Sequence, residues 1–153
     1  MRVFTEFFVN NLAASRAFYT HVMAFSVGRD EDDFVELRRG VVQLHLLPLS
    51  DLPTALRNGE SCSLGARVEF CLEVPHLKEL EVERRRIEGQ GWPLESTICL
   101  QSWGKHDFRL LDPDGAYLRI TTPVLRQNDA RPGHTGLFSA MRLRFPWIRS
   151  MQQ

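Results

Sequence analysis

Hydrophobic and polar residues alternate in several short stretches of this chain, and the alternation predicts strands. Tyr117–Thr121 reads Tyr, Leu, Arg, Ile, Thr, so Leu118 and Ile120 share one face while Tyr117, Arg119 and Thr121 share the other. Residues 33–38 and 41–47 alternate in the same way on either side of Arg39-Gly40, which predicts a hairpin. Residues 4–9 and 66–74 add strands rich in Phe, Val and Leu; residues 25–27, 94–99 and 108–111 are shorter candidates. Asp114-Gly115 predicts the turn between the last two strands, because Gly tolerates positive φ and Asp can bond its own backbone.

Helical spacing appears twice. Leu12, Ser15, Phe18, Tyr19 and Val22 place a helix over residues 12–23, after Asn10-Asn11, whose side chains suit an N-cap. Leu77, Leu80 and Ile87 place a second over residues 77–88, stopped by Gly89 and Gly91. Residues 29–33 read as a charged turn, and residues 48–64, with Pro48, Pro53, Asn58 and Gly59, as a linker. The order β-α-β-β-β therefore occurs twice. Val9, Leu12 and Val22 recur as Val74, Leu77 and Ile87 at one fixed offset, as two copies of a single unit would. The expected organisation is an α+β domain over residues 1–123, with modules at about 1–49 and 65–123, followed by a tail over 124–153.

Charge separates the tail from the body. Residues 124–153 carry five Arg and one acid, Asp129, leaving fourteen basic against eighteen acidic residues in 1–123. An acidic body disfavours nucleic acid and accommodates a cationic ligand. The tail is basic and apolar, with Pro146 interrupting any helix. It suits docking on the body, an acidic partner, or disorder, and the sequence does not choose among them. No apolar run is long enough for a membrane helix, and residues 1–6 lack a signal-peptide core, so a cytoplasmic protein without membrane contact is expected. Cys62, Cys71 and Cys99 follow no zinc spacing and read as reduced thiols.

Two motifs bring in a family. Val9-Asn10-Asn11-Leu12, Ser15, Phe18-Tyr19 and Met23-Ala24-Phe25 resemble the opening V-x-D-L…S…F-Y…L-G-F of the vicinal oxygen chelate superfamily. That superfamily includes glyoxalase I, fosfomycin-resistance proteins, extradiol dioxygenases and bleomycin-resistance proteins. Phe108…Asp112-Pro113-Asp114-Gly115…Leu118 resembles its closing F-x-x-x-D-P-D-G-x-x-L. The departures are Asn11 for Asp and Ala24 for Gly, and Ala24 resists a positive φ if the Gly position needs one. The resemblance implies paired βαβββ modules whose sheet curves around a cleft, closed by a second module or subunit, hence a homodimer.

The resemblance also implies up to four metal-ligand points, which fall here on Phe4, His45, Glu69 and Arg119. Phe4 has no donor atom and Arg119 is a permanent cation. Only His45 and Glu69 remain as a weak metal alternative, too few for a divalent site. Arg119, paired with Glu69, fills the place of the ion. Trp103-Gly104, Arg119 and the hairpin around Arg39-Gly40 are similar to the bleomycin-resistance branch.

Residue alternation supplies an independent candidate surface. With Val35, Leu37, Leu44, Leu46, Phe70, Leu72, Leu118 and Ile120 inside, the opposite alternates, including Phe4, Glu6, Phe8, Glu36, Gln43, Cys71 and Glu73, face the cleft. Phe34, Arg38, His45, Glu69, Trp103, Phe108, Tyr117 and Arg119 are the expected ligand contacts, with no catalytic residue, metal or cofactor. The first reading is a metal-free binder that sequesters a cationic or aromatic small molecule such as an antibiotic. A metal-dependent lyase, isomerase or dioxygenase, with a divalent ion, is the second. A protein-interaction subunit using the basic tail is the third.

Overall fold

The computed structural model describes residues 3–54 and 68–124. Among these residues eight strands form two four-stranded sheets. β1 (Thr5–Val9), β2 (Ser26–Glu31), β3 (Phe34–Arg39) and β4 (Val42–Pro48) make the first, in the order β1-β4-β3-β2. β5 (Glu69–Glu73), β6 (Cys99–Leu100), β7 (His106–Leu111) and β8 (Tyr117–Thr121) make the second, in the order β5-β8-β7-β6. In each sheet the first strand pairs in parallel with the last and the other pairs are antiparallel. A helix follows the first strand of each: α1 (Leu12–Ala17) and α2 (Leu77–Gly89).

Apolar alternates decide which face is covered. Val35, Leu37, Leu44, Leu46, Leu72, Leu118 and Ile120 are buried, and Phe70 packs against them. One core serves both modules. Phe7 on β1 meets Phe70 on β5 edge to face at 5.4 Å, and Phe18 meets Trp92 at 4.6 Å. The first pair joins the two sheets through their apolar faces, and the second joins the segments that follow the two helices.

The D-P-D-G segment is a staple between modules, and its two acids divide the work. Asp112, not Asp114, bonds the local backbone: its Oδ1 accepts from the amides of Asp114 (2.9 Å) and Ala116 (2.7 Å). Its Oδ2 accepts from the hydroxyl of buried Tyr19 at 2.9 Å. Asp114 crosses to the first module, accepting from the Asn10 amide, the Asn10 side chain and the Ser15 hydroxyl. Burial pushes the Asp112 carboxyl above its ordinary value against those hydrogen bonds, and burial followed by Asp112 pushes the Tyr19 phenol well above its own.

Several elements differ from the sequence reading. Asn11 caps α1 through the Ala14 amide at 2.9 Å, but regular helix ends at Ala17 and residues Phe18–Val22 wind as a π turn. That wider turn buries Phe18, Tyr19 and Val22 together. Ala24 follows at φ 56°, the left-handed region. The charged residues 29–31 are strand rather than turn: they lie on the exposed edge strand β2, where charge discourages edge pairing. Leu77 is 40% exposed, so Leu80 and Ile87 alone anchor α2 in the core. Strand is found only at Cys99–Leu100 in the stretch expected at 94–99; Leu94 and Ile98 pack on the core from irregular backbone. Residues 55–67, within the expected linker and strand, and the tail from residue 125 lie outside the described residues.

Candidate functional site

The two solvent-facing sheet surfaces carry the expected site residues in two groups. On the first sheet, His45 sits mid-strand on β4, opposite Glu6 of β1 and Glu36 of β3. It is buried between the rings of Phe4 at 4.6 Å and Phe34 at 5.0 Å. Its Nε2 meets the Gln43 side-chain nitrogen at 3.0 Å. Its Nδ1 is buried without a hydrogen-bond partner, 3.6 Å from Glu6 Oε1. Arg38 is turned to Glu36 by a side-chain hydrogen bond, and Arg29 lies over Phe34 at 5.1 Å.

On the second sheet, Glu69, Tyr117 and Arg119 lie as the alternation requires. Glu69 holds two guanidinium groups at once: Arg109 Nε donates to Oε1 at 3.1 Å and Arg119 Nη2 lies 3.0 Å from Oε2. The Arg119–Glu69 contact is the pairing anticipated above. Arg119 also donates to Cys71 Sγ from Nε (3.3 Å) and Nη2 (3.1 Å). Below it lies Asp107, fully buried, whose Oδ1 accepts from the Gln101 amide at 2.7 Å. Burial works against charge on Arg119, but Cys71, Glu69 and Asp107 outweigh it and hold the guanidinium above its ordinary value. Arg109 is raised by Glu69 and Asp107 against the same burial. Trp103, half exposed on the β6–β7 loop, brings its ring to 5.8 Å from Arg119, and Tyr117 lies 6.0 Å from Arg109.

One expected contact is wrong. Phe108 is fully buried and pairs with Ile120 on the core face, so it packs the interior and reaches no ligand. The strand β7 runs from His106, two residues earlier than expected, and its register against β8 sets Phe108 opposite Ile120 on the core face and Arg109 opposite Arg119 on the open one, with Asp107 on the same side as Arg109. Those two residues were missed. The signal for Arg109 was present: it stands two residues from Asp107 and opposite Arg119 in the ladder, once that register is known.

The four family points do not fit a metal. Phe4 offers a ring to His45, both oxygens of Glu69 are taken by guanidinium groups, and Arg119 brings a positive charge to the position of a ligand. Among the described residues no three His, Cys, Asp or Glu side chains converge as a metal-ligand set. A narrow apolar cavity of about 40 Å³ lies elsewhere, between β1, β5 and β8, lined by Phe7, Phe70 and Tyr117 among others.

Two repeated βαβββ units with their open faces lined by rings and paired charges define a protein of the vicinal oxygen chelate architecture. The profile of the Glyoxalase/Bleomycin resistance protein/Dioxygenase superfamily matches residues 3–120, and the chain belongs to that superfamily. Solved structures share the fold. Lactoylglutathione lyase from Agrobacterium tumefaciens superposes with a TM-score of 0.64 at 17% identity, covering 82% of this chain and 96% of that one. A glyoxalase/bleomycin resistance protein/dioxygenase from Nocardioides gives 0.66 at 18%, covering 89% and 91%. A family enzyme from Burkholderia phytofirmans PsJN gives 0.65 at 20%, covering 82% and 100%. No curated protein sequence matches the chain significantly. At these identities the likeness concerns the fold alone.

Proposed function

We propose that the protein is a metal-free small-molecule binder of the bleomycin-resistance type, holding a planar ligand by stacking and charge without chemistry on it. The observation that carries this reading is the Arg119 guanidinium, which takes a family metal-ligand point and is bonded to Glu69 and Cys71 there. A cation built into the site removes the charge deficit that would attract a divalent ion. Phe4, Phe34, Trp103 and Tyr117 supply rings for stacking.

The carboxylates offered to a cationic ligand are fewer than the sequence count suggests. Glu36, Glu69 and Glu73 face Arg38, Arg119 and Lys105 respectively, and Asp107 faces two Arg. Among the described residues Glu6 is paired with His45 alone. A cationic group of the ligand therefore goes to Glu6, beside the rings of Phe4 and Phe34.

Titration with bleomycin, followed by calorimetry and by Trp fluorescence, tests the reading. Saturable binding of about one ligand per site, weakened by Glu6→Gln and Trp103→Ala, is the expected result. Stoichiometric divalent metal in purified protein, with turnover of a glyoxalase-type substrate, overturns it in favour of a metal-dependent enzyme.

A further inference from the structure

The side of the second sheet on which α2 packs carries two hollows that the open faces do not use. The larger, about 500 Å³, lies between α2 and the residues that lead into β6, with Leu77, Glu81, Arg84, Arg85, Ile98 and His106 in its wall. The smaller, about 280 Å³, is walled by Pro75, Leu77, His106 and Pro123 among others. Leu77 and His106 belong to both, so the two hollows adjoin. His106 precedes Asp107 in β7, and neighbouring strand residues point to opposite sides, which sets this surface away from the Arg119 face. The pair has the size of a small-molecule site.

Charge in the larger hollow is unevenly satisfied. Glu88 takes the Arg84 guanidinium at 2.7 and 2.8 Å. Glu81 and Arg85 stand four residues apart on α2, in the order and spacing that favour an ion pair on a helix. They do not make it. Arg85 Nε donates instead to the Glu81 backbone carbonyl at 3.3 Å, and among the described residues neither the Glu81 carboxylate nor the Arg85 guanidinium has an oppositely charged partner. One free charge of each sign therefore lines the hollow, about one helical turn apart. The smaller hollow is apolar by contrast. Leu77 opens α2 with its side chain 40% exposed, and Pro75 and Pro123 continue that surface.

We propose that the two hollows together bind an apolar α-amino acid as its zwitterion. Its carboxylate accepts from the Arg85 guanidinium, whose planar fork matches two oxygens. Its ammonium donates to Glu81, and its side chain lies across Leu77 into the smaller hollow. A simple anion meets repulsion from Glu81 and a simple cation meets repulsion from Arg85, whereas the zwitterion satisfies both and covers the apolar wall. The site is apart from the open sheet faces and stands whether or not bleomycin binds there.

L-Leucine is the probe, titrated into the full chain by calorimetry. Saturable binding at a single site per chain is the expected result. Isocaproate, which lacks the ammonium, and L-leucinamide, which lacks the carboxylate, should each bind at least about tenfold more weakly, the size of a lost hydrogen bond between charged groups. Glu81→Gln should weaken L-leucine without weakening isocaproate, and Arg85→Gln should weaken L-leucine without weakening L-leucinamide. Both side chains are exposed, so neither exchange touches the core. Absence of saturable heat with L-leucine overturns the proposal, and a hollow already filled by a second copy or by another part of the chain gives that result. Equal binding of L-leucine and either analogue overturns it as well. The unmodified chain and the two analogues decide between these outcomes if a variant fails to fold.

Discussion

Single residues in this molecule show where local preference yields to the fold. Ala24 adopts φ 56° on an exposed turn, a conformation that costs an L-residue about 1–2 kcal/mol. Glycine removes that strain at the expense of a more mobile unfolded chain, worth about 0.4–1 kcal/mol. Ala24→Gly is therefore expected to stabilise the protein by about 0.5–1 kcal/mol, read as a higher urea midpoint at unchanged slope. Phe108 tests the reassignment of a site residue to the core. Phe108→Ala should cost about 3–5 kcal/mol in urea unfolding. The fraction that stays folded should keep the ligand affinity of the parent; a selective loss of affinity would return Phe108 to the site.

At the scale of elements, a partly buried charge cluster ties the two modules together. Glu83 on α2 accepts from Arg39 of β3 at 2.6 Å and from Arg86 at 2.7 Å, while Arg86 also donates to the Val22 carbonyl. Burial alone would raise the Glu83 carboxyl, but the two guanidinium groups outweigh it and hold it below its ordinary value of 4.5. A depressed carboxylate contributes stability above its unfolded value and loses it as pH falls through the folded one. Glu83→Gln should cost about 2 kcal/mol at neutral pH, a typical size for hydrogen bonds to charged groups. The difference from the parent should shrink steadily as unfolding is measured below the ordinary carboxylate value. Asp112 has the opposite sign: its raised value means that stability falls with rising pH across its own window. A pH-independent difference between Glu83→Gln and parent would show that the Arg39–Glu83–Arg86 cluster acts by packing alone.

For the whole molecule, the placement of the open faces is the basis for predicting a homodimer. The rings of Phe7 and Phe70 join the sheets through the core, so the His45 face and the Arg119 face each look outward from one copy. A second copy laid against them would close each into a cleft and cover rings that are half exposed, such as Phe4 and Trp103. Light scattering at micromolar concentration should report twice the chain mass, and a monomer there would contradict the closure. No helix among the described residues is long and apolar enough to cross a membrane.

Much of this architecture was legible along the chain. Strand alternation names the inward residues of β3, β4, β5 and β8 correctly, because a period of two admits only two faces and the apolar set selects one. The repeat was equally visible: α1 and α2 begin at Leu12 and Leu77, the offset read from the sequence. Side-chain partners across modules were not legible. Asp112 and Asp114 look interchangeable in D-P-D-G, and only packing makes one an internal turn-former and the other a link to Asn10 and Ser15. The face that each residue of β7 presents was set by its register against β8, not by its own composition, and without that register Phe108 stood in the site in place of Asp107 and Arg109. Local pattern carries the periodicity of an element and the face it buries. The pairing of Arg119 with Glu69 was anticipated, but that Arg109 shares Glu69 and that Arg119 also answers to Cys71 and Asp107 depends on strands far apart in sequence and was decided only by tertiary structure.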